Sequence, residues 1–177
     1  DGVQWDYPCD GDAPILQRGA PGSFDAGMIM GTATRPIIEG DHIHWYYTGA
    51  SHTHGRPLRE RHKAIGRATW RLDGFVSLDA GDAEGVVDTA PLRLDGDELE
   101  VNADVSRGWL RVEALSPDGH VLPGFSRHDC APLAGDSTRH RVRWGSRRLA
   151  DARQPVRLRF VLRNAELYAY RGANGSG

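Results

Sequence analysis

Apolar and polar residues alternate with the two-residue period of β-strands through most of this chain, and no stretch carries the 3.6-residue period of a long helix. The clearest pattern lies between Arg35 and Gly49. There Ile37 and Ile38 precede a Glu39-Gly40-Asp41 reversal, beyond which His42, His44 and Tyr46 fall on one face and Ile43, Trp45 and Tyr47 on the other. Gly40 and Asp41 supply the two-residue loop of a β-hairpin. An isolated hairpin is marginal in water, so this one must be covered by further strands or by a ligand. Upstream, Met28 and Met30 alternate with Ile29, so Ala26 to Ile38 is predicted as one strand or two short ones, with His42 to Thr48 returning antiparallel. Ala50 to His62 is rich in His and Arg without apolar periodicity and is predicted as a long exposed loop. Ala64 to Leu72 is the next strand, closed by Asp73-Gly74.

From Phe75 onward, short strands recur with turn signals between them, as in a sandwich or barrel. The predicted strands are Phe75 to Leu78, Val86 to Leu94, Glu98 to Ala103, Trp109 to Leu115, Arg139 to Trp144 and Val156 to Tyr170, with reversals at Asp95-Gly96, Asp118-Gly119 and Gly135-Asp136. Strict alternation in Leu110 to Leu115 and in Val156 to Phe160 gives each strand one core face and one wet face. The expected fold is all-β. A blade-like antiparallel sheet unit over residues 1–74, opening with a loop of some two dozen residues, is followed by a jelly-roll-like β-sandwich over 75–171 and a loose tail over 172–177.

Composition narrows the partners. The chain has 177 residues, 39% hydrophobic and 26% charged, with a net charge of -2, so it is globular and has no basic excess for phosphates. Neither nucleic acid nor a membrane is an expected partner, since no apolar run reaches a bilayer span. Lys63 is the only lysine among 22 basic residues. Opening at Asp1 without a methionine suits a mature secreted chain or a piece of a longer one. Cys9 and Cys130 are too few for a disulfide framework, and either one bridge or two unpaired thiols fits them.

Candidate chemistry is sparse. Asp25 is the best-placed carboxylate, at the start of a strand after a Gly-rich turn, while Glu39 and Asp41 read as solvated turn residues. Glycosidic cleavage requires two carboxyl groups roughly 5 to 10 Å apart, and Asp25 has no evident second member. His42 with His44 and His52 with His54 form two pairs that a zinc site could use, but in no standard spacing. No metal or other cofactor is expected, and Gly-x-Ser-x-Gly and phosphate-loop motifs are absent. Trp45 and Tyr47 offer ring faces to a sugar, with Arg35 and Asp25 as planar hydrogen-bonding partners. Equally, alternate aromatic positions on a strand are the ordinary makings of a core.

Asp1-Gly2-Val3-Gln4-Trp5, Gly22 to Ile29 and the hairpin ending Trp45-Tyr46-Tyr47-Thr48-Gly49 resemble the closing blade of the five-bladed β-propellers of the invertase, levansucrase and arabinanase superfamily of glycoside hydrolases. Leu99 to Asp104, Gly124-Phe125-Ser126, Asp129-Cys130 and Asn164 to Tyr168 resemble the β-sandwich that follows such a propeller. The resemblance implies a carbohydrate-active fragment whose partner is a glycan or oligosaccharide and whose catalytic acids belong to blades outside this sequence. It implies a sheet that packs against those blades, or self-associates without them. The alternative is a stand-alone, non-catalytic carbohydrate-binding or interaction module. In a meander, the loop after the second strand returns to the rim where the first began. Asp25 and the Ser51-His52-Thr53-His54-Gly55 loop are therefore expected to share one rim, in the resembled propellers the rim of the substrate pocket, with Arg35 further off.

Overall fold

The computed structural model describes residues 14–175, and its chain divides into two compact units between Leu72 and Asp73. The protein is all-β, its sheets partly sandwich-like and partly barrel-like, and the regular non-strand elements among the described residues are single 3-10 turns at Leu58–Glu60 and Leu149–Asp151.

The first unit is one antiparallel sheet of β1 (Met28–Thr32), β2 (Ile37–Glu39), β3 (His42–Ala50) and β4 (Lys63–Arg71). The β4 strand pairs with β3 over its whole length, from His42 opposite Arg71 to Ala50 opposite Lys63. On its other edge β3 is met first by β2 and then by β1, which together form a single strand interrupted at residues 33–36. Ile38 opposite Ile43 and Glu39 opposite His42 leave Gly40-Asp41 as the two-residue loop, and Gly40 takes the positive φ of 57° that a tight reversal demands. Ile43 and Tyr47 are buried, whereas Tyr46 on the opposite face is 41% exposed, so the alternation read from the sequence decides which face is covered.

The second unit is a six-stranded sheet of β5 (Leu78–Ala80), β6 (Gly85–Asp88), β7 (Glu98–Leu115), β8 (Leu133–Val142), β9 (Arg157–Arg163) and β10 (Ala165–Ala173). Its axis is β7, 18 residues long, where the sequence predicted two strands. The first half of β7 pairs with β10 and the second with β9. Between Val105 and Leu110 the opposing β8 advances only from Gly135 to Leu133, a bulge that bends the strand around Ser106-Arg107-Gly108. The bend changes which residues face inward: Leu99, Val101, Ala103 and Val105 before it, Leu110, Val112 and Ala114 after it, all in one core. Gly108 is required there, because a Cβ would overlap the Arg163 carbonyl oxygen. Strand β9 runs into β10 through Asn164 at φ 46°, so the predicted Val156 to Tyr170 strand is continuous in course but kinked opposite the β7 bend.

Other boundaries shift for related reasons. Gly135, read as a reversal, adopts φ 81° inside β8, where a bulge rather than a turn uses the glycine, and β8 accordingly begins at Leu133 instead of Arg139. Phe75 and Val76 are exposed, and pairing starts only at Leu78. The predicted Val86 to Leu94 strand ends at Asp88, leaving a single bridge between Leu92 and Val156. Strand β10 runs into the expected tail as far as Ala173, because Gly172 and Ala173 continue to pair with Leu99 and Glu98.

Trp144 anchors this core. It is fully buried, edge-on to Phe125 at 5.2 Å between ring centroids, and its Nε1 donates to the Val112 carbonyl at 2.7 Å. Each such large side chain taken from water contributes roughly 1.5–3 kcal/mol. Cys130 is a buried free thiol, while Cys9 and Trp5 lie outside the described residues.

Candidate functional site

Asp25 sits where the irregular segment from residue 14 turns into β1, and it is only 6% exposed. Its Oδ1 accepts from the Ser23 hydroxyl at 2.6 Å and its Oδ2 from the Tyr47 hydroxyl at 2.7 Å. Ser23, then Tyr47, hold the Asp25 carboxyl below the ordinary aspartate range, and the carboxylate in turn pushes the Tyr47 phenol up. The seat is tight. Added Cβ atoms on Gly19 or Gly49 would run into Asp25, and one on Gly66 would stand 2.5 Å from the Tyr47 ring. Tyr47 also stacks on Phe24 at 6.0 Å.

Beside this turn opens a cavity of about 880 Å³ lined by Pro14, Leu16, Gln17, Arg18, Gly19, Pro21, Gly22, Ala26, Ile29 and Ser51. Arg18 is held at its edge by donating from Nη1 to the Gly27 carbonyl at 3.3 Å. Ser51 Oγ accepts from the His62 backbone N–H at 3.0 Å and lies 3.0 Å from His52 Nδ1, so the neck of the long loop is pinned at the cavity. The Gly27 N–H donates to the Ala50 carbonyl, and a Cβ on Gly27 would overlap the His52 backbone. The Asp25 turn and the start of the 51–55 loop therefore meet at one rim.

His52 and His54 are exposed on that loop, whose course is fixed by Arg61 donating to the carbonyls of Arg56 at 2.7 Å and His54 at 3.1 Å. The other expected residues are not brought to the cavity. Trp45 donates from Nε1 to the Ala33 carbonyl at 2.6 Å and packs edge-on to Trp70 at 6.5 Å, tying down the break between β1 and β2. Tyr47 is buried with its hydroxyl spent on Asp25. Both aromatics thus make packing and hydrogen-bond contacts within the first unit, and neither is in the lining of the cavity. Arg35 is exposed within residues 33–36. His42 and His44 stack on each other at 6.1 Å on the opposite sheet face, where His44 contacts Glu39 and Thr69. Among the described residues no group of three or more His, Cys, Asp or Glu side chains gathers as a metal site would. Gln17 and Arg18 carry no signal in the sequence because they lie in a stretch without periodicity, whereas Ser51 belongs to the loop expected at this rim.

The arrangement orients polar groups around an open hollow. Asp25 has both oxygens committed to hydroxyl donors, and Arg18 is the one charged side chain in the cavity lining among the described residues. Such a set can hold a polyhydroxylated ligand through hydrogen bonds. The chain matches no family model, no curated protein and no solved structure.

Proposed function

We propose that this chain is the closing-blade and sandwich portion of a carbohydrate-active protein related to the five-bladed propeller glycoside hydrolases, and that it binds an oligosaccharide at the rim of its first unit without cleaving it. One observation carries the reading: the cavity of about 880 Å³ has Arg18, Gln17 and Ser51 in its lining and lies next to the Asp25 turn and the His52 loop. A rigid sheet with a long polar loop at its rim is a common way to present binding groups. Planar guanidinium and amide groups suit paired sugar hydroxyls. Because Asp25 is engaged on both oxygens, its part is to set the turn rather than to attack a glycosidic carbon.

The test is a glycan array probed with the purified chain, accompanied by chromogenic glycosides. Binding without turnover is expected. Arg18→Ala and the double variant His52→Ala/His54→Ala should each weaken that binding by about tenfold or more, with little change in melting temperature, since all three side chains are on the surface. Full affinity in both variants would refute the placement, and turnover of any glycoside would refute the non-catalytic role.

A further inference from the structure

The second unit carries a separate cavity of about 420 Å³, lined by Glu84, Trp109, Arg111, Arg127, His128 and Pro132. That volume lies within the usual range for small-ligand sites. We propose that it is a binding site for an acidic saccharide, a uronic-acid residue within an oligosaccharide. The inference rests on the carbohydrate reading above for the class of ring alone, since its residues are on another unit.

The argument begins with the alternation of β7. Beyond the bend, Leu110, Val112 and Ala114 face the core, which puts Trp109, Arg111 and Glu113 on the outer face. The core is filled without an indole there, and Trp109 is half-buried in the cavity lining, which also contains Pro132. Indole and proline rings offer apolar surface on which the C–H face of a pyranose can pack. The polar rim is fixed in advance. Buried Glu113 accepts from the Arg127 backbone N–H at 3.0 Å, the Arg127 carbonyl accepts from Arg111 Nη1 at 3.1 Å, and Arg127 Nη1 pairs with Glu84 Oε1 at 2.8 Å. Ordering costs on binding are correspondingly small.

Charge selects the sugar. Glu84 offsets Arg127 and buried Glu113 lies 3.7 Å from Arg159, whereas the contacts of Arg111 are with neutral groups, the Arg127 carbonyl and the Trp109 ring 5.9 Å from its guanidinium carbon. One guanidinium is left to receive a carboxylate, with the exposed His128 imidazole at the same wall. The Arg127–Glu84 pair offers a donor and an acceptor for ring hydroxyls.

The experiment is calorimetric titration of the full chain with trigalacturonate and, as a neutral match, maltotriose. Expected results are saturable binding of trigalacturonate, with maltotriose about tenfold weaker or more, a similar loss for Arg111→Gln, and abolition by Trp109→Ala. Arg111 is on the outer face, so Arg111→Gln remains informative if Trp109→Ala fails to fold. The His52→Ala/His54→Ala variant should bind trigalacturonate as the parent does, which separates this site from the rim cavity. The proposal is overturned if trigalacturonate does not saturate, if Arg111→Gln retains full affinity, or if the loss follows the histidine pair instead of Trp109.

Discussion

The Tyr47 hydroxyl reaches 22 residues back along the chain to donate to Asp25 Oδ2 at 2.7 Å, and Ser23 closes the other oxygen at 2.6 Å. This contact ties the irregular segment before β1 to the middle strand of the first sheet. It also makes the unit acid-sensitive. The folded-state pKa of Asp25 lies below its ordinary 3.8, so the stabilisation is fully present above the unfolded value and is lost as pH falls through the folded one. Ser23→Ala removes the largest cause of the depression. It should raise the Asp25 pKa and move the acid-unfolding limb of the first unit to higher pH, both readable by NMR titration of the carboxyl carbon. An unmoved Asp25 titration in that variant would contradict the assignment.

Gly66 lies opposite Tyr47 across the β3–β4 ladder, and a Cβ there would stand 2.5 Å from the ring. Gly66→Ala must therefore push the phenol off Asp25, and overpacking of this kind costs about 1–3 kcal/mol. Gly31→Ala is the control, because a Cβ there meets nothing within 4 Å. Urea denaturation should show the first variant destabilised by that amount and the second within about 0.5 kcal/mol of the parent.

The hairpin from Ile37 to Tyr47 was legible because alternation and the Gly40-Asp41 turn agree, each enforcing the same register. The joining of Glu98–Ala103 and Trp109–Leu115 into one strand was not. A bulged strand keeps pairing through the bend, yet its Ser106-Arg107-Gly108 looks locally like a turn, and the decisive partner, the Arg163 carbonyl against Gly108, is far away in sequence. The same limit applies to the site. Asp25 and the His52 loop fell together because meander geometry brings strand ends to a common rim, whereas the roles of Trp45 and Tyr47 turn on Ala33, Trp70 and Asp25, contacts that periodicity cannot rank. Arg18 had no pattern at all to announce it.

Opposite the face that buries Ile43 and Tyr47, the first unit leaves apolar side chains in water: Met30 at 44%, Ile37 at 53%, Tyr46 at 41% and Ile65 at 75% exposure. Met30, Tyr46 and Ile65 border a shared hollow of about 430 Å³. Exposed apolar groups on a sheet favour association. The chain is expected to self-associate in light scattering at high concentration, more strongly with added sulfate. Ile65→Lys should suppress this with stability changed by less than about 0.5 kcal/mol. A monomer at every concentration and salt would count against it.

Cys130 offers a check on the core of the second unit. It is 2% exposed, its sulfur accepts from the Val112 N–H at 3.3 Å, and it donates to the Ala131 carbonyl at 3.3 Å. Burial, above all, pushes its thiol pKa above the ordinary 9.0. Since the thiolate is the reacting form, a buried thiol with a raised pKa reacts only when the surrounding structure opens. In a Cys9→Ser background, a disulfide reagent at pH 8 should label Cys130 slowly, and denaturing urea should accelerate labelling by at least about a hundredfold. Cys130→Ala should cost about 1–3 kcal/mol, combining the lost sulfur contacts with a Val112 N–H left without that acceptor. Rapid labelling of the folded protein would mean that the loop carrying Phe125 and Cys130 opens far more readily than a core packed around Trp144 allows.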